Sequence, residues 1–152
     1  MATALKADAV LRPSISADCA GEQVAQTGIY DLKAALVVND TIDLCILPAE
    51  MVLDELIIST VDLDAHATPA IVFDVGLYDA VGATSSQTAF ITGSTIGQAG
   101  GIARLANFAG HQIRAVGYDR LIRLKVTTAP ATGATTGRIK VNAITRNKNF
   151  DD

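Results

Sequence analysis

A chain of 152 residues with 49% hydrophobic but only 5% aromatic side chains, and no Trp, is the size of one ordinary domain with a core built from Val, Ile, Leu and Ala. Its net charge of −4 argues against nonspecific nucleic-acid binding, which needs clustered Lys and Arg, and no apolar run approaches the roughly 18 to 20 residues that cross a membrane. The charge is divided along the chain: residues 1–80 carry three basic and thirteen acidic side chains, residues 81–152 nine basic and three acidic.

Residues 1–20 mix small apolar residues, single charges and Pro13 without a sustained period, which predicts an extended N-terminal arm. Met1 to Lys6 has no charged segment followed by an apolar one, so a cytoplasmic site of synthesis is expected. Cys19 and Cys45 are the only thiols and are expected to be reduced. Tyr30, Leu32, Ala34 and Leu36 form an apolar row that predicts a strand ending at the Asn39-Asp40 turn pair. Ile42, Leu44 and Ile46 alternate with Thr41, Asp43 and Cys45 as far as Pro48, which places Cys45 on the face opposite the three aliphatic residues.

Met51 to Val61 is β-branched with apolar side chains on both faces, as in a strand covered on two sides or broken by a bulge. After loop chemistry from Asp62 to Pro69 comes the clearest strand, with Ile71, Phe73, Val75 and Leu77 on one face and Val72, Asp74, Gly76 and Tyr78 on the other. Asp79 to Gln87 reads as a loop and Thr88 to Thr92 as a short strand; Gly93 to Gly101 is too glycine-dense for a stable helix, and Ile102 to Phe108 fits a helical turn or a strand equally. Ile122, Leu124 and Val126 form a further strand row, as do Ile139, Val141 and Ala143. Ala129 to Gly137 between them reads as a hairpin-type connection, which puts Arg123, Lys125, Arg138 and Lys140 on one outer face. The whole predicts an all-β chain: an antiparallel β-sandwich over residues 21–146, jelly-roll or Greek-key, with a polar tail at 147–152.

Little in the chain looks like chemistry. Asp62, Asp64 and His66 at spacing two would point the same way from an extended backbone and form a weak candidate for a divalent cation, against the simpler reading of a solvated loop; an EF-hand glycine and distal Glu are missing. His111 has no nucleophile assigned to it, so no catalytic residue is predicted, and two isolated histidines fall short of a metal-dependent cupin. The run Gly93 to Gly101 lacks the Gly-Lys-Ser/Thr ending of a phosphate loop, so no cofactor is predicted. Arg123, Lys125, Arg138 and Lys140 are a solvated sheet face first and a protein-binding stripe for an acidic surface second; they lack the interleaved aromatics that bases stack on. Division of charge between the two halves would suit association of protomers, with a symmetric dimer favoured and a trimer possible.

The segment Leu36-Val37-Val38-Asn39-Asp40-Thr41-Ile42-Asp43-Leu44-Cys45-Ile46-Leu47-Pro48-Ala49 resembles a pattern of small structural proteins of tailed bacteriophages. The likeness continues through Leu63-Asp64, Thr68-Pro69-Ala70, Phe73-Asp74-Val75-Gly76-Leu77 and Asp119-Arg120-Leu121-Ile122-Arg123-Leu124. It is most similar to jelly-roll cement or decoration proteins of the head. That resemblance implies a virion part on the capsid surface that bridges major-capsid subunits and stabilises the mature shell; the charge and the short apolar runs leave neither nucleic acid nor membrane as an expected partner. A minor head protein, a tail or adsorption module that binds host carbohydrate, and a metal-dependent jelly-roll enzyme are the alternatives.

Overall fold

The alternating segments become strands in the computed structural model, which describes residues 2–11, 23–79 and 84–147. The strands are β1 (Ala4–Lys6), β2 (Gln23–Asp31), β3 (Thr41–Leu47), β4 (Met51–Thr60), β5 (Val72–Asp79), β6 (Thr84–Ser94), β7 (Gly101–Arg104), β8 (Arg120–Thr128) and β9 (Arg138–Asn147). Two single-turn helices, α1 (Asp8–Leu11) and α2 (Phe108–His111), and a 3₁₀ turn at Ile96–Gln98 complete the described elements.

One sheet has the order β1-β3-β8-β5-β6 and the other β2-β9-β4-β7. Setting β1 aside, eight antiparallel strands form two four-stranded sheets, and the chain changes sheet at every connection except β5 to β6. This is jelly-roll connectivity. Ile42, Phe73, Val75, Ile122, Leu124 and Val126 from one sheet meet Leu56, Ile58, Ile139, Val141 and Ala143 from the other, each no more than 1% exposed. Leu63 and Ile71, also buried, close one end.

The segment read as an arm is tied down where it is described. β1 pairs in parallel with β3, the Thr3 N–H donates to Asp40 at 2.6 Å, the Ala7 N–H donates to the Asp43 carbonyl at 2.7 Å, and Ala7 is fully buried. Cys19 lies outside the described residues, as does the tail beyond Asn147.

Several local expectations are corrected. β2 ends at Asp31, so the Tyr30 to Leu36 row is not one strand. Leu32 and Leu36 are nonetheless buried, because the Leu32 N–H donates to Gly137 and the Val37 N–H to the Asp40 carboxylate, curling the segment over the end of the sandwich. Asn39, at φ 67°, makes the turn read from sequence. A bulge between Asp43 and Cys45 shifts the register of β3, so Cys45 pairs with Ile122 as Ile42 pairs with Leu124, on the same inward face. β4 carries the anticipated bulge, between Leu53 and Glu55. β6 starts at Thr84, inside the segment read as a loop, and residues 102–108 divide between β7 and the start of α2.

The predicted hairpin between the last two strands is absent. β8 and β9 lie in different sheets, so residues 129–137 cross from one layer to the other. Turn residues mark where a chain bends but not which sheet it rejoins.

Candidate interaction surfaces

Asp62, Asp64 and His66 lie in the loop between β4 and β5 but serve separate local purposes. Asp64 is 1% exposed and its carboxylate accepts four backbone N–H groups: Ala70 at 2.7 Å, Ile71 at 3.2 Å, Ala131 at 2.8 Å and Thr132 at 2.8 Å. Burial alone would raise its pKa, but the bonds from Thr132, Ala70, Ala131 and Ile71 together hold it well below the ordinary carboxylate range. Asp62 accepts the Asp64 N–H at 2.9 Å, and His66 Nδ1 meets the backbone and hydroxyl of Thr68. The three side chains do not converge, and among the described residues no group of three His, Cys, Asp or Glu side chains is placed to hold a metal ion. Asp64 clamps the β4–β5 loop to the β8–β9 crossover.

The four cations also separate. Arg123 and Lys125 project from the outer face of the β8 sheet, Arg138 and Lys140 from that of the β9 sheet, on opposite sides of the sandwich, because their neighbours Ile122, Leu124, Ile139 and Val141 point into the core. Arg123 donates to Asp43 and lies 4.7 Å from the Tyr78 ring centroid. Lys125 donates to Gln87, whose amide donates in turn to Asp74 at 3.0 Å. Arg138 makes two bonds to Asp31, at 2.6 and 3.1 Å, and the pairing holds the Asp31 carboxyl below its usual range. Lys140 has no carboxylate in salt-bridge range among the described residues.

Four ion pairs cross the division of charge. Arg138–Asp31, Arg123–Asp43, Arg146–Asp54 and Arg104–Glu55 each join a base from the second half of the sequence to an acid from the first. Part of the complementarity between the two halves is thus met within one chain.

The residues of the quoted motifs prove to be clamps. Asp40 accepts the N–H groups of Thr3 and Val37, Asp74 that of Gly93 at 2.8 Å, and Asp119 that of Ala49 at 2.8 Å. Gly76 is crossed by β6 so closely that a Cβ there would lie 2.2 Å from the Ser86 carbonyl oxygen. The sequence motifs contain these aspartates without revealing their bonds, although an Asp beside a turn or strand end is the signal for such side-chain-to-backbone bonds.

A chain from the capsid of Ralstonia phage GP4 superposes with a TM-score of 0.86 at 29% sequence identity, covering 96% of this chain and 99% of that one. This chain is a phage virion structural protein. The virion protein has a capsid-related structural role, and it matches its neighbour end to end, so the two chains have nearly the same length. A chain of the cyanophage Pam1 capsid superposes at a TM-score of 0.70 and 24% identity over 90% of this chain and 94% of that one, and one from the acid-stable capsid of Helicobacter pylori bacteriophage KHP30 at 0.51 and 14% over 81% and 93%; these two share the fold. No family model and no curated protein matches the sequence.

Proposed function

We propose that this virion protein is a head cement: it binds the outer surface of the capsid, bridges major-capsid subunits and stabilises the mature shell, acting by binding and not by catalysis. The observation that carries the reading is the end-to-end likeness to a chain of an assembled phage capsid. Loops clamped by Asp40, Asp64 and Asp119 present preformed surfaces, and preformed surfaces lose little entropy on docking.

Cementing acts through linkage. A protein that binds the mature shell and not its precursor stabilises the mature state by about 2.7 kcal/mol per site at 100 times Kd. Contact with two or more subunits adds avidity without a new type of contact. Self-association into a dimer remains part of this proposal only through surfaces other than Arg123 and Arg138, whose charges are paired within the chain.

The test is to add purified protein to shells built without it and to heat them. Saturable binding at a fixed ratio to the shell subunit and a higher melting temperature of the mature shell are expected; no binding, or binding without stabilisation, would refute the cement role.

A further inference from the structure

The outer face of the β2-β9-β4-β7 sheet carries rows of side chains set by its register. One row runs Ile29, Lys140, Ser59, Ile102 across all four strands. The flanking charges on this face cancel in the pairs Arg138–Asp31, Arg146–Asp54 and Arg104–Glu55, whereas Lys140 has no such partner among the described residues. A depression of about 280 Å³ lies beside it, lined by Ser59, Thr60, Val61, Arg138 and Lys140. Val61 at 49% and Ile102 at 66% exposure border the same area. On the opposite outer face Asp43 and Asp74 are 3% and 7% exposed and bonded to Arg123, Gln87 and Gly93, and Lys125 donates to Gln87 in register with Asp74.

We infer that the Lys140 depression receives an acidic side chain of a capsid subunit, with apolar atoms of that subunit covering Val61 and Ile102, so that the β2-β9-β4-β7 face is the face turned to the shell. This rests on the cement reading above. The charge decides the chemistry of the occupant: an ammonium with no carboxylate in salt-bridge range among the described residues, backed by a guanidinium that Asp31 holds and Asp8 faces, attracts one carboxylate. The sheet face decides its form. β9 and β4 are central strands whose backbone groups are paired, so the partner is met by side chains and not by strand addition.

The experiment measures binding of the full chain and its variants to shells assembled without it, with the melting temperature of each free variant as a check of folding. K140E is expected to bind at least about tenfold more weakly, because it sets like charges against each other, while K140R binds as the parent does. Ile102→Ser is expected to weaken binding several-fold, and Lys33→Glu, on an exposed loop off this face, to leave it unchanged. If the parent binds and a folded K140E binds equally well, the proposed face is wrong and the cement reading stands. Failure of the parent itself to bind overturns both. If K140E binds shells normally but lowers the mass of a self-associated species, the occupant is a second copy and this proposal is refuted.

Discussion

The Asp64 Oδ1 atom accepts the Thr132 N–H at 2.8 Å across 68 residues of sequence, and its Oδ2 accepts Ala70, Ile71 and Ala131. One carboxylate thereby fixes two loops at one end of the sandwich. Replacement by Asn keeps the shape but puts an NH₂ where an oxygen accepts donors. D64N is expected to lower Tm at neutral pH. Since the folded pKa lies below the unfolded value of about 3.9, the contribution of Asp64 is complete above that value and is lost as pH falls below it. The gap in Tm between parent and D64N should therefore be constant from about pH 7 to pH 5 and shrink below about pH 4. A gap that widens in acid would contradict the clamp.

Gly76 and Gly93 separate two reasons for a glycine. At Gly76 a Cβ would meet backbone atoms of Ser86 and Gln87 at 2.2 to 2.4 Å, so G76A must push β6 away from β5 and is expected to lose about 3 kcal/mol or more. Gly93 has open space but a φ of 61°, so G93A is expected to lose only about 1 kcal/mol. Denaturant titration of the two variants checks the order.

Asp43 and Arg123 form the most buried ion pair, with side-chain exposures of 5% and 14%. Removal of either partner strands the other: Arg123→Met is expected to lose about 3 kcal/mol, while Asp43→Leu combined with it recovers most of that loss. A double-mutant cycle measures the coupling. Additive losses would show that the pair contributes nothing.

Burial pushes the Cys45 thiol up to about 12, so it is protonated and sealed off at pH 8. Alkylation of the native protein followed by peptide mass analysis should leave Cys45 unmodified until denaturant is added. Rapid labelling under native conditions would contradict the inward register that the β3 bulge creates.

Alternation in the sequence revealed most of the strands but not their grouping. Phe73, Val75, Leu124 and Val141 lie where period two puts them, because a regular strand has no other option. Cys45 did not, since one extra residue in a bulge inverts every later side chain. Gly133 and Pro130 announce a bend and leave the destination of β9 open, so the sequence alone puts Arg123 and Arg138 on one face and the crossover separates them. Asp64 stood out in sequence for its spacing from Asp62 and His66, yet its role depends on Ala131 and Thr132, which no local pattern connects to it. The divided charge was visible from the start; only the paired strands show which charges of the two halves meet within the chain.

The most direct measurement is the copy number of this chain in purified virions, by quantitative mass spectrometry against the major shell subunit. The cement account predicts a ratio near one, or another simple fraction set by shell symmetry. A handful of copies per particle, or none, would contradict it.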